Sequence, residues 1–324
     1  MDLSIVIPIY NEAECVEALC QALDEALRPL SKDFEVLLID DGSTDETPAL
    51  LAKLVEKYAY LRVIRFRRNF GQTAAMSAGF HHARGEIVIT MDADLQNDPA
   101  DIPKLLAAMN ADTDVVSGWR KDRQDPFWSR KLPSMLANGL ISRITGVGLH
   151  DYGCTLKAYR RSVIQDVHLY GEMHRFIPAL ASWVGGRVIE VPVEHHPRRF
   201  GTSKYGLSRT VRVILDLITV KFLMRYSLGP MQMFGKIGLF FVVPSLLLFA
   251  LMIGGHLSFL VFGTTLAAEL VKRPFWIVSA TMLMFLGVQF ISMGLLAEIQ
   301  IRTYHEAQDK RTYVIRECWP PVKS

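Results

Sequence analysis

The stretch Glu86–Pro99 reads EIVITMDADLQNDP, an apolar run that closes on Asp92, Asp94 and Gln96. In an extended segment every second side chain lies on one face, so these three are expected to converge at the end of a strand. Two carboxylates that close would repel unless a cation joined them, and hard oxygen ligands with few other donors suit Mg²⁺ or Mn²⁺. Magnesium held by one or two carboxylates usually completes its shell with water and substrate phosphate, which points to a phosphorylated ligand. Gln96 is read as a third ligand or as the group that orients a water or phosphate. A calcium EF-hand loop is excluded, because the glycine it needs at its sixth position is Asn97 and the glutamate at its twelfth is Pro103. Asp98, before Pro99, and Asp101 are helix punctuation, an N-cap and a first-turn acid.

The elements that must hold these residues are short. From residue 1 to about 200, apolar β-branched runs (LSIVIPIY, FEVLLIDD, LRVIRF, EIVITMD, DVVSGW, RVIEVPVEHH) alternate with helical patterns such as EAECVEALCQALDEAL and DETPALLAKLVEKY. This alternation predicts an α/β domain with a mostly parallel sheet covered on both faces. Ligands of such open sheets sit outside the carboxyl ends of the strands, so the polar residues that close each run are the candidates: Tyr10, Asn11 and Glu12; Asp40 and Asp41; the Asp92–Gln96 cluster; Trp119 and Arg120. Neither a Gly-x-Gly-x-x-Gly fingerprint nor a Gly-x4-Gly-Lys-Ser/Thr loop is present, which leaves a cation and arginines to hold phosphate. The four cysteines show no zinc or redox spacing and are read as reduced cytosolic thiols.

Beyond Gly201 the composition changes. GLSRTVRVILDLITVKFLMRYS is apolar and basic together, as in a helix lying against headgroups. Ile237–Ala268 and Phe275–Ala297 carry no Asp, Glu, Lys or Arg, and about 20 apolar residues suffice to span a bilayer. Two membrane helices are expected. Nine Lys/Arg against three Asp/Glu between Arg187 and Lys236 place the preceding part on the cytoplasmic side. No signal peptide is read in MDLSIVIPIYNE, so the expected location is the inner membrane, multi-pass, with the large domain and both termini cytoplasmic. The expected division is 1–205 catalytic domain, 206–232 juxtamembrane amphipathic helices, 233–299 two transmembrane helices and 300–324 cytoplasmic tail.

Taken together, IVIPIYNE, LLIDDGSTD, MDADLQNDP and RRFGTSKY resemble family 2 glycosyltransferases of the GT-A (Rossmann-like) fold. The resemblance is closest to the polyprenyl-phosphate glycosyltransferases, the group of dolichol-phosphate mannose synthase and the bactoprenol glucosyl transferases, and it covers essentially the whole chain. It implies that Pro8, Tyr10 and Glu12 flank a nucleoside, that Asp41 accepts from the base, and that Asp92, Asp94 and Gln96 hold the metal on the donor diphosphate. It implies a polyprenyl (undecaprenyl) phosphate acceptor, with Arg120, Arg130, Arg198 and Lys204 as phosphate contacts; guanidinium forks suit that task. Arg123, Lys131 and Arg199 are read as solvated or headgroup-facing. Asp151 aligns with an acidic position near the reacting centre and is read as orienting the acceptor or balancing the arginines, since a phosphate acceptor needs no base.

The expected reaction is inverting transfer of a hexose, with glucose from UDP-glucose preferred and GDP-mannose or other UDP-sugars behind. A processive polysaccharide synthase would show Gln-x-x-Arg-Trp and more spans. A transporter would need intramembrane acids or bases. A non-catalytic nucleotide-sugar-binding membrane partner is the alternative from another class. No nucleic-acid partner is expected, and small-residue spacing such as Gly287–Ser292 permits self-association through the membrane helices.

Overall fold

Leu3–Ile9 forms the central strand β1 because its β-branched residues fit a pleated surface buried on both faces, and Ile5, Val6, Ile7 and Ile9 are all buried. The structure, a computed structural model, describes residues 1–121, 132–165, 167, 169, 173–197, 217, 219–222, 230–263, 274–307 and 315–319. Beside β1 lie β2 (Phe34–Asp40) and β4 (Ile87–Thr90), both parallel to it; β3 (Leu61–Phe66) continues beyond β2. With β5 (Val115–Trp119), β6 (Lys157–Arg160), β7 (Val188–Pro192) and β8 (Ile315–Trp319) the sheet runs β7-β5-β6-β4-β1-β2-β3-β8.

Every strand-like run of the first 200 residues became a strand, and two strands were not anticipated. β6 lies antiparallel between β4 and β5, and β8, from the expected tail, lies antiparallel on β3. The parallel pairs β1–β2, β1–β4, β2–β3 and β5–β7 give the sheet its direction and bring the carboxyl ends of β1, β2, β3 and β4 to one edge.

Helices α1 (Val16–Leu27) and α2 (Thr47–Lys57) follow β1 and β2. In α1 the buried residues Val16, Leu19, Cys20, Leu23 and Leu27 repeat at helical spacing and form one face of the core. Truncating Leu19 to alanine would cost about 2–5 kcal/mol in such a setting. Helix α3 (Gln72–His82) crosses directly over β1: a Cβ on Gly79 would collide with the Val6 side chain, so only glycine lets the backbones come this close. Helix α4 (Ile102–Ala108) is entered through a 3₁₀ turn, where the Asp98 carboxylate accepts from the Ala100 N–H at 2.9 Å. Helix α5 (Leu132–Thr145) precedes β6, and Ile177–Trp183 precedes β7.

The chain divides into two compact units, Met1–Lys221 with Arg311–Ser324, and Phe222–Lys310. The second unit is a hairpin of two long helices, Pro230–Phe262 and Pro274–Ala307. Both contain a segment long and apolar enough to cross a membrane, with mean hydropathy 2.5 and 1.8. Their outer surfaces are exposed leucine, phenylalanine and valine, so neither is a buried core helix of a soluble protein. Between them Gly238 and Gly287 face each other closely, and the buried Ser245 hydroxyl donates to the Ala280 carbonyl at 2.6 Å. Small residues that let helix backbones approach, with a hydroxyl bonded across, are how helices associate without a hydrophobic driving force. Gly287 thus serves packing inside this hairpin.

Candidate active site

The strand-end alternation expected for Asp92, Asp94 and Gln96 is not what the chain does. β4 stops at Thr90, and Asp92–Gln96 form a turn in which Leu95 takes a left-handed φ of +56°. A leucine in that region is strained, and such strain concentrates at functional turns. The turn still gathers the acids: the Gln96 backbone N–H donates to Asp94 Oδ1 at 3.2 Å, and the charge of Asp94 acts on Asp92. The Asp92 carboxyl is pushed up to about 6, by burial first and by Asp94 second. Gln96 engages through its main chain, its carbonyl accepting from the His196 N–H at 2.9 Å.

Three neighbours that sequence reasoning missed hold Asp92. The Gln72 amide, at the start of α3, donates to its Oδ1 at 2.8 Å, the Thr155 side chain bonds it, and the buried Lys157 faces it with a positive charge. Burial holds the Lys157 ammonium below its usual range, and its Nζ donates to the Tyr152 carbonyl at 3.1 Å. The 151–157 loop is stitched to the acidic turn through Asn97 Nδ2 to Thr155 Oγ1 (2.9 Å) and Thr90 Oγ1 to the Thr155 carbonyl (2.8 Å). Nothing local in DYGCTLKAYRR marks Lys157 as anything but a strand residue.

Arg120, at the end of β5, meets Asp151 through a fork: Nε to Oδ2 at 2.7 Å and Nη2 to Oδ1 at 2.9 Å. The Arg120 and Gly153 N–H groups also donate to this carboxylate, at 3.3 and 3.1 Å. Asp151 is buried and its acceptor sites are filled, so it balances the arginine. Burial works against the Arg120 guanidinium, and its bonds and charge pairing with Asp151 outweigh that and hold it above its ordinary value.

On the β1–β3 side, a cavity of about 480 Å³ is lined by Tyr10, Ser43, Thr44, Arg65, Arg67 and Arg68 among others. Its size suits a nucleotide, and Arg67 and Arg68 favour an anion, Arg65 being paired with the buried Asp40 at 3.2 Å. The loops are pinned from within: Asn11, at φ +54°, accepts the Thr44 N–H on its side chain at 2.9 Å and gives its own N–H to Ser43 Oγ at 2.9 Å. Gly42 has φ +72° and lies against the Arg68 backbone, where a Cβ would clash. Asp41 is buried and accepts from the Phe70 and Gly71 N–H groups at 2.7 and 2.9 Å; burial pushes its carboxyl up to about 6. Pro8 lies in β1 opposite Ile39, and Glu12 accepts from the Cys15 thiol at 3.0 Å.

The segment leading to the basic motif is tied to the acidic turn. Asn97 and His195 form a bridge, Glu194 N–H donates to Asp101 Oδ2 at 2.6 Å, and His196 Nε2 lies 3.1 Å from Asp98 Oδ2. Arg130, Arg198 and Lys204 lie outside the described residues, as does most of the juxtamembrane stretch.

Residues 4–167 match the family described as Glycosyl transferase family 2. Along 98% of its length the chain is 46% identical to a dodecaprenyl-phosphate galacturonate synthase of Rhizobium johnstonii, over 93% of that protein. The chain belongs to glycosyl transferase family 2. It is also 40% identical to an undecaprenyl-phosphate 4-deoxy-4-formamido-L-arabinose transferase of Edwardsiella ictaluri, over 97% of this chain and 93% of the other. Among solved structures, glucosyl-3-phosphoglycerate synthase of Mycobacterium tuberculosis with Mn²⁺, UDP and glucosyl-3-phosphoglycerate shares the fold. Its TM-score is 0.53 at 16% identity, over 69% of this chain and 79% of that one. A UDP-GlcNAc complex of S. aureus TarS gives 0.50 at 23%, over 69% and 67%. The transferase therefore has the GT-A fold, with a mixed, mostly parallel sheet.

A divalent ion fits this transferase's donor set. Two half-buried carboxylates on one turn repel each other, and among the described residues no third acid, histidine or cysteine joins them in a metal cluster. That is the protein share typical of magnesium, whose remaining positions go to water and phosphate.

Proposed function

We propose that this transferase moves a sugar from a UDP-sugar to the phosphate of a polyprenyl lipid with inversion of configuration. The observation that carries the reading is the filled carboxylate of Asp151. A hydroxyl acceptor would need a base beside the anomeric carbon, whereas a phosphate is already a nucleophile, and the acid at that position is spent on Arg120. A phosphate oxygen of the acceptor forms the bond to the anomeric carbon while the bond from that carbon to the donor diphosphate breaks, and the electron pair leaves with the diphosphate. No proton has to move.

Asp92 and Asp94 would hold Mg²⁺ or Mn²⁺, with Gln96 beside them; bound there, the ion supplies positive charge toward the leaving diphosphate. Gln72 and Lys157 fix Asp92 in place for this. Arg120, held rigid by Asp151, offers its remaining N–H groups to an approaching phosphate, and Arg130, Arg198 and Lys204 are proposed as its partners. Tyr10, which lines the arginine-rich cavity, would receive the nucleoside there, with Pro8 and Glu12 near it in sequence and Asp41, bonded to the Phe70 and Gly71 N–H groups, shaping the loop beside it.

The whole-length relatives named for galacturonate and 4-deoxy-4-formamido-L-arabinose support a modified sugar. We place UDP-galacturonate first, ahead of UDP-glucose. The sheet supports one side for both ends, since β8 follows the second long helix and pairs with β3 of the unit that precedes the first; the basic excess before the first helix makes the cytoplasm the side we propose.

The test is a panel of radiolabelled donors (UDP-galacturonate, UDP-glucose, the UDP-linked formamido-arabinose and GDP-mannose) with purified protein, undecaprenyl phosphate and divalent cation. Organic-extractable label is expected from one donor, abolished by chelation and reduced at least about a hundredfold by Asp94→Ala, the order of loss when a group stabilising transition-state charge is removed. No label from any donor would overturn the reading and favour a binding partner without turnover. Equal label from Asp94→Ala would overturn the metal assignment.

A further inference from the structure

Helix α5 is amphipathic in the wrong sense for a helix of a soluble domain. The face it turns inward is largely polar, with Ile141 its buried apolar residue: Asn138 is buried and donates to the His150 carbonyl at 2.7 Å, Ser142 Oγ exchanges bonds with the Leu149 carbonyl and N–H at 3.1 and 3.2 Å, and Thr145 Oγ1 lies 2.9 Å from the Tyr152 hydroxyl. The face it turns outward is apolar. Met135 is 62% exposed and Leu140 47%, with Gly139 between them, where a Cβ would meet nothing within 4 Å. At about 100° per residue Met135, Gly139, Leu140 and the half-exposed Ile144 share one arc, with Arg143 on it and no acid anywhere in the helix. Burial of apolar side chains is the main force that seats a helix on a domain, and beside Ile141 α5 spends mostly polar side chains there.

We propose that the outer face of α5 is a bilayer contact, and that through its inner face the helix reports lipid contact to the site. This rests on the reading of the chain as a membrane-bound transferase with a lipid-borne acceptor. An apolar arc with a single basic residue and no acid has the chemistry of an interfacial helix on anionic lipid, the leucine and methionine entering the acyl boundary and the guanidinium staying with headgroup phosphate. The four hydrogen-bonded contacts on the inner face all fall between His150, Leu149 and Tyr152, the residues flanking Asp151, which holds Arg120. Seating α5 on the membrane therefore fixes the loop that positions the phosphate-binding arginine, next to the surface from which the acceptor arrives.

The test uses the full chain reconstituted in liposomes of phosphatidylethanolamine and phosphatidylglycerol. A spin label is placed at Leu140→Cys in a Cys318→Ser background, since Cys15, Cys20 and Cys154 are buried. A label at Gln21→Cys, on the exposed side of α1, reports bulk water. Power saturation with oxygen and with a water-soluble nickel complex is expected to show the 140 label open to oxygen and shielded from nickel, and the 21 label the reverse. A 140 label that behaves like position 21 would overturn the proposal, as would one shielded from both reagents, which marks a protein partner. This readout needs no turnover, so it fails or succeeds independently of the donor panel.

For the coupling, Met135→Glu with Leu140→Glu is expected to raise the KM for long-chain polyprenyl phosphate in vesicles about tenfold, the equivalent of about 1.4 kcal/mol. The nucleotide-sugar KM should not change, and turnover on a short, soluble prenyl phosphate should fall in vesicles and match the unsubstituted protein in detergent, where neither is seated. An unchanged acceptor KM would overturn the coupling, and so would an equal loss in vesicles and in detergent, which marks a structural defect.

Discussion

Asp151 shows how one side chain's partners decide its role. As a free carboxylate beside the reacting carbon it would be a candidate base; with Arg120 across both oxygens and a backbone N–H on each, it is proposed as a positioning residue. Desolvating such a pair is costly, and the fork geometry with the added N–H donors offsets the cost. Breaking it leaves a buried guanidinium unpaired, for which truncation costs run to about 2–5 kcal/mol. Asp151→Asn is therefore expected to lower kcat by roughly a hundredfold, equivalent to about 2.7 kcal/mol, with little change in donor KM. The discriminating measurement is the pH–rate profile. If the residue positions Arg120, the acidic limb survives in the variant; a limb that disappears identifies Asp151 as the base instead.

Helix α3 does at its start what no single residue could do. Its length lies on β1 because Gly79 allows contact with Val6, and this fixes where its first turn ends up. There the Phe70 and Gly71 N–H groups hold Asp41, on the side proposed for the nucleotide, while Gln72 holds Asp92, on the acidic turn, so one rigid helix sets the spacing between the two halves of the proposed site. The next residue, Thr73, is joined to the buried His174 ring at 2.8 Å. Burial, with lesser contributions from the charges of Arg175 and Lys157, drops the His174 pKa from 6.5 to about 3. The sign follows: the folded state resists protonating this ring, so the contact stabilises fully above the unfolded value near 6.5, and that stability is lost as pH falls from there toward 3. Each unit in that window is worth about 1.4 kcal/mol. His174→Gln is expected to flatten the dependence of the melting temperature on pH between 4 and 6.5 in detergent. A variant with the wild-type slope would show that another group carries the acid sensitivity.

The last described residues turn the molecule from a domain with an anchor into a closed topology. β8 lies against β3 and covers an edge that would otherwise present unpaired peptide groups. Since its chain has passed through both long helices to get there, the two termini are expected on the same side. Epitopes at residues 1 and 324, probed with protease in sealed inside-out vesicles, should be cleaved together; cleavage of one alone would contradict the β3–β8 pairing. This closure was not legible in the sequence, for reasons that separate the chain's local and distant properties. β1 to β5 and β7, α1, the absence of charge over Ile237–Phe262 and Phe275–Ala297 within the two long helices, and the acids and arginines at strand ends all follow from runs of a few residues, because burial on both faces of a sheet or immersion in lipid imposes composition on contiguous positions. The turn in place of an extended Asp92–Gln96, the insertion of β6, the return of β8 and the inverted face of α5 depend on partners far along the chain. Arg120 and Asp151 are 31 residues apart, and Gln72 and Asp92 are 20. A hydrogen bond over such a distance leaves no periodicity behind it, so residue types could nominate the chemistry, while folding alone chose which of them face one another.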